Sequence, residues 1–174
     1  MPHEPLVSEV RAARCSIDNV ADFLTDLRKI AADCDTRIIC FNEEMMAGSV
    51  HALSAVGHAV RAFGAGENIS NNLEMESLLY AAGSRQCSVA ASFGIHEGEN
   101  HLYICCYPLR PGIWTALEPV FRFSPDTTDL IKPEKRERLM RFFGISREEI
   151  AAAGGDDRIV DLVLERVALL QVSR

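Results

Sequence analysis

The chain has 174 residues, 48% of them hydrophobic, and 25 acidic side chains against 18 basic ones leave a formal charge of −7. That is enough apolar material for one complete core, and too little positive charge to hold nucleic acid by bulk electrostatics, so any RNA contact has to be local. The apolar runs are too short and interrupted to cross a bilayer, and the start MPHEPLVSEVRAAR lacks the apolar core of a signal peptide; Cys15, Cys34, Cys40, Cys87, Cys105 and Cys106 show no CxxC spacing. The expectation is one cytoplasmic domain with reduced, mostly buried thiols.

In chain order, Leu6 to Ala13 is expected as a first strand, and Asp18 as the cap of a helix that turns Val20, Phe23, Leu24, Leu27 and Ile30 inward. Ile38 to Phe41 makes a short apolar strand. Gly48 precedes a helix to about Phe63 with a wide apolar face, and His51, Ser54, His58 and Arg61 recur at helical spacing as its polar side. The run Leu73 to Ile95 then reads as two short helices broken at Gly83. Asn71 and Glu74 have capping-box spacing, and Met75, Leu78, Leu79 and Ala82 form one stripe. Gly83 suits the left-handed residue that ends a helix; Ser84 is placed to cap the next one, whose Val89, Ala90 and Phe93 form a second stripe before Gly94. Arg85 and Gln86 then fall in a first helical turn, where outward N–H groups attract an anion such as phosphate.

His101 to Tyr107 alternates Leu102, Ile104 and Cys106 with Tyr103, Cys105 and Tyr107, so both faces of this strand are largely apolar and it should be central or covered twice. Pro108 to Pro133 is proline-rich and weakly periodic, with Val120 to Phe123 as an edge strand. Glu134 to Phe143 and Ser146 to Ala153 are short helices, the second with Ser146 and Glu149 at capping-box spacing. The last helix, about Asp157 to Leu170, is apolar around much of its circumference and belongs in the centre or at an interface.

No GxGxxG, P-loop, GxSxG or HExxH pattern occurs, so the chain by itself is expected neither to bind nor to hydrolyse ATP. His51 and His58, with Glu43 or Glu44 nearby, offer a metal or acid/base site, but a seven-residue spacing is long for two ligands of one ion and an ordinary polar face accounts for them more simply. HEGENH, His96 to His101, has the Gly and Asn of a turn. The run KPEKRERLMR sets five cations against two carboxylates, a local charge of +3, and reads as a solvated helix face. For Arg85 the plain alternative is a pair with Glu76, and for Gln86 a helix cap.

The two-helix run resembles the small non-catalytic subunit of the KEOPS complex, the PRPK-binding protein family. The family pattern is Met/Leu-Glu-x-Leu-Leu-Tyr-Ala-Ala-Gly, an Arg-Gln pair, and a helix ending in Gly and an aliphatic residue. This chain matches it at Met75, Glu76, Leu78, Leu79, Tyr80, Ala81, Ala82, Gly83, Arg85, Gln86, Phe93, Gly94 and Ile95. A second agreement is Leu164, Glu165, Arg166, Ala168 and Leu169, which is similar to the family's C-terminal helix; a third, weaker one runs from Ile38 to Phe63.

From the residues and the resemblance together, the expected fold is an α/β (α+β) domain with a small, largely antiparallel sheet covered by helices. The resemblance implies a binding subunit, not an enzyme, and no cofactor. Its partners would be the amino-terminal lobe of the KEOPS kinase-like ATPase subunit, tRNA through its 3′ acceptor end, and indirectly the subunit that forms threonylcarbamoyl adenosine. Helix-terminus chemistry assigns Arg85 and Gln86 to tRNA, with Arg61 and Lys135 as further basic candidates. Val89, Phe93 and Ile95 are the candidate partner surface. Two other classes stand beside this: a small-molecule or metal-dependent enzyme built on His51, His58 and Glu44, and a homo-oligomeric scaffold without an RNA role.

Overall fold

Period-two alternation organises the centre of the protein. The computed structural model describes residues 9–125 and 130–172. Strands β1 (Val10–Ile17), β2 (Arg37–Asn42), β3 (Gly98–Tyr107) and β4 (Arg122–Phe123) form one antiparallel sheet in the order β2-β3-β1-β4. Its register sets Cys105 of β3 between Val10 and Ile39. As the central strand, β3 sends Leu102, Ile104 and Cys106 to one face and Tyr103 and Cys105 to the other, and all five are at most 2% exposed.

Helices α1 (Val20–Asp33) and α5 (Ile113–Leu117) supply Leu27, Ala31, Ile113 and Leu117 to the first face, where they meet Ala13, Ile38, Leu102 and Ile104. The second face carries the larger core. There α2 (Ser49–Gly64), α3 (Leu73–Ala82), α4 (Cys87–Ala90), α6 (Pro133–Phe143), α7 (Arg147–Ala153) and α8 (Ile159–Val172) close over Ala12, Ile39, Phe41, Tyr103 and Cys105. The fold is α+β, an antiparallel sheet covered by helices on both faces. Among the described residues no helix is long and apolar enough to cross a membrane.

Several boundaries differ from expectation. The first strand runs on to Ile17, because Ala13 and Ile17 continue the inward alternation and Cys15 pairs with Asn100; the expected portion from Leu6 to Ser8 lies outside the described residues. The cap of α1 is Asn19, not Asp18, its side chain accepting from Asp22 N–H at 3.0 Å. Likewise Asn72 rather than Asn71 caps α3, accepting from Met75 N–H at 2.7 Å. Within the weakly periodic stretch, α5 is a helix that the sequence reading omits, and the edge strand shrinks to Arg122–Phe123. Helix α8 buries Ile159, Val163, Val167 and Leu170 on one side and leaves Leu169 and Val172 exposed.

Candidate nucleic-acid and partner interface

The break at Gly83 is held from three directions. At the end of α3, Gly83 takes a left-handed conformation (φ 61°, ψ 32°); its N–H bonds the Tyr80 carbonyl at 3.1 Å and Ser84 N–H bonds the Leu79 carbonyl at 3.1 Å, the paired bonds that finish a helix on glycine. A Cβ here would lie 3.3 Å from the Arg166 carbonyl oxygen of α8, so glycine suits both the backbone angle and the close approach of the two helices.

Two residues back, the Ala81 carbonyl meets His51. The His51 ring is fully buried: Nδ1 accepts from Ala47 N–H at 2.9 Å and Nε2 lies 2.9 Å from the Ala81 carbonyl. Since Nδ1 accepts, Nε2 carries the proton and donates it to Ala81, which ties the start of α2 to the end of α3. Burial, and to a lesser extent the positive charge of Lys135, hold the imidazole neutral, its pKa lowered to about 4 against the opposing pull of the Ala81 carbonyl. Phe93 and Phe143 stand edge-on to this ring at 6.4 and 6.0 Å, and Phe142 packs on both at 4.9 Å, so an aromatic cluster supports the segment after the break.

These positions correct several expectations. His51 is not on a polar face; a buried imidazole with both nitrogens engaged by backbone has no lone pair left for a metal or a substrate. His58 lies two turns away, roughly 10 Å along the helix, stacked on Tyr80 at 5.2 Å and bonded to Gln171 at 3.2 Å, its pKa lowered by burial and by Arg61. Glu44 is exposed on the short turn before α2; its N–H donates to the Asn42 side-chain oxygen at 3.1 Å and its C=O accepts from Arg138 at 2.9 Å. The structure therefore does not bring His51, His58 and Glu44 together, and among the described residues no group of three His, Cys, Asp or Glu side chains is set to hold a metal ion.

Arg85 and Gln86 precede a helix instead of lying in its first turn. Ser84 Oγ accepts from Gln86 N–H at 3.1 Å, and the helix begins only at Cys87, lasting four residues before a 3₁₀ turn over Ala91–Phe93. So short a helix supplies little dipole, and the phosphate argument from a helix start does not hold here. What remains is Arg85 itself: an exposed guanidinium that makes no ion pair among the described residues, Glu76 being engaged elsewhere. Gln86 and Cys87 beside it are exposed as well.

The other candidates scatter. Arg61 is exposed near the far end of α2, away from Gly83, beside a cavity of about 400 Å³ that Tyr80 and Gln171 also line. Lys135 is half-buried on α6. Its neighbours are spoken for: Arg136 pairs with Asp156 at 3.4 Å and Glu137 with Arg147 at 2.6 Å. Of the partner candidates, Phe93 is 0% exposed and is core, because its ring fills the space between His51, Phe142 and Phe143. Val89 is half-buried, and Ile95, also half-buried, lines a groove on the α1 side of the sheet.

Sequence reading missed the role of Glu76, which is fully buried and has no cationic partner among the described residues. Its carboxylate accepts from Ile69 N–H (2.9 Å), Ser70 N–H (2.7 Å) and Ser70 O–H (2.9 Å), fixing the loop that leads into α3. The available signal was the polar loop Asn68–Asn72 just upstream, with backbone donors that need an acceptor. A scan against protein-family models finds none that matches this chain, and a search of curated proteins finds no matching relative.

Proposed function

We propose that this chain is a non-catalytic binding subunit of the KEOPS kind, which docks on a small kinase-like ATPase and helps present the acceptor end of tRNA for threonylcarbamoyl modification. The observation that supports it most is spatial. The two stretches that carry the resemblance meet at one point: Gly83, from the first, packs on the Arg166 backbone, from the second. Arg85 emerges from that junction exposed and without a counter-ion among the described residues, on a chain whose net charge is −7. A single exposed guanidinium suits one phosphate by a charge-assisted, two-pronged contact. Val89, half-buried on the same segment, is the apolar candidate for the protein partner.

The test is a tRNA gel shift with the purified chain, alone and mixed with the kinase-like subunit. Arg85→Glu should weaken tRNA binding while co-elution with the kinase persists, and trimming the 3′ end should weaken it too. Equal binding by Arg85→Glu overturns the placement of the site; equal binding of trimmed and untrimmed tRNA overturns the acceptor-end role; absence of co-elution overturns the complex.

A further inference from the structure

Strand pairing opposes like charges at one end of the sheet. Arg14 of β1 lies directly across from Arg122 of β4 on one side and from His101 of β3 on the other. Opposed side chains have Cβ atoms about 5 Å apart, a distance at which two cations weaken the pairing. Alternation sends all three toward the face of the larger core, since Ala12 and Tyr103, two residues away, are opposed partners within it. The helices leave this end open: Arg14 and Arg122 are exposed and His101 is half-buried.

No counter-ion relieves the row. Neither arginine makes an ion pair among the described residues. Glu99, on the same face, stands opposite Ser16 and reaches neither guanidinium. On the other face of the same strand, Arg11 has both Glu9 at 3.2 Å and the ring of Trp114 at 4.6 Å. The row also leads back toward Arg85. β2 ends at Asn42, opposite Leu102 and one residue from His101, and the turn after it accepts Arg138 of α6 at the Glu44 carbonyl. Further along α6, beyond the exposed Arg141, Phe143 lies where a Cβ on Gly83 would meet it at 3.9 Å. Cations thus line a path from Arg85 to the sheet, with the carboxylates of Glu43 and Glu44 at its middle.

The shape of this surface narrows the occupant. None of the three side chains lines the groove beside Ile95 or the cavity beside Arg61, so a small ligand would find no hollow. Among the described residues the strands carry no exposed large apolar side chain, so a protein partner would find no anchor. What fits a flat strip of guanidinium groups is a phosphate backbone, held without reading its bases. We propose that Arg14 and Arg122, with His101 beside them, hold the phosphodiester backbone of RNA as a second contact in addition to Arg85. This rests on the RNA-binding reading above and extends it from the end of α3 to the open end of the sheet.

Filter binding of a full-length tRNA transcript to the whole chain, over a series of KCl concentrations, tests this. The comparison is a double variant, Arg14→Gln with Arg122→Gln, which removes two exposed charges and leaves Arg85 and the core in place. Its urea midpoint should be unchanged or raised, because a like-charge pair has gone. Affinity at the lowest salt should fall roughly tenfold, and the slope of log K against log salt should become shallower by about 1.5, the share of two phosphate contacts. If the parent binds tRNA and the variant matches it in affinity and slope, this inference is overturned and the Arg85 reading stands; if the parent does not bind, both fall. A lowered urea midpoint also overturns it, since the arginines would then be holding the sheet together. So does poly-glutamate that binds the parent as tightly as tRNA and loses as much in the variant, which would make the occupant an acidic protein segment.

Discussion

Acidification should weaken this fold through His51 before most carboxylates are protonated. The unfolded ring takes up a proton near pH 6.5, whereas the folded ring holds out to about 4 because it is buried and engaged by Ala47 N–H and the Ala81 carbonyl. A folded pKa below the unfolded one means that the stability is whole above pH 6.5 and drains away as the pH falls toward 4. With 1.36 kcal/mol for each pH unit of separation, the full loss is about 3 kcal/mol, of which about 2 kcal/mol is gone by pH 5. Urea unfolding at pH 7, 6 and 5 measures it, with His51→Gln as the comparison, since an amide cannot titrate. The variant should start less stable at pH 7 and lose less between pH 7 and pH 5. Parallel losses in the two proteins would refute the assignment of the neutral, doubly bonded ring.

Three further outcomes follow from the same geometry. Gly83→Ala should destabilise by about 1–2 kcal/mol from the left-handed backbone alone, and by more through the 3.3 Å approach to the Arg166 carbonyl, read as a lowered urea midpoint. Glu76→Ala leaves Ile69 and Ser70 N–H groups without their acceptor and should lower stability by about 2–4 kcal/mol, with faster hydrogen exchange at those two amides than elsewhere. Phe93→Glu should prevent folding, because it puts an unpaired carboxylate in the aromatic cluster, whereas Val89→Glu should leave the melting temperature nearly unchanged and abolish co-elution with the kinase-like subunit. A low melting temperature for Val89→Glu would make that residue core as well.

What the sequence reveals here, and what it hides, divides by range. The alternation of Leu102 to Tyr107 is local and placed β3 at the centre; the demand for a left-handed residue at Gly83 and the Ser146 cap of α7 are local too. Two caps were missed by one residue because Asp18 and Asn19, or Asn71 and Asn72, are equally able acceptors; only the position of the first helical residue separates them. His51 was misplaced for a longer-range reason. It shares helical spacing with His58 and Arg61, but the group that satisfies its Nε2 is the carbonyl of Ala81, 30 residues away. The row of Arg14 and Arg122 is hidden still further, since nothing near either residue says that β1 and β4 are neighbours until the order of all four strands is known.

Rigidity is what a locally basic site on an acidic chain has to offer. A contact made by one guanidinium gains little from long-range attraction, and binding then depends on how little conformational freedom is lost in making it. The backbone before Arg85 is constrained on every side: Gly83 is wedged on α8, Ala81 is stapled by His51, and the segment after the break is anchored by Phe93 among three other rings. On the proposed reading the buried histidine and the exposed arginine act together, the neutral state of the first holding the end of α3 from which the second projects. Protonating His51, which in the folded chain takes a pH near 4, would loosen that helix end without touching Arg85, so on the same reading affinity for an anionic partner should decline as the pH falls toward 4 even though the guanidinium keeps its charge.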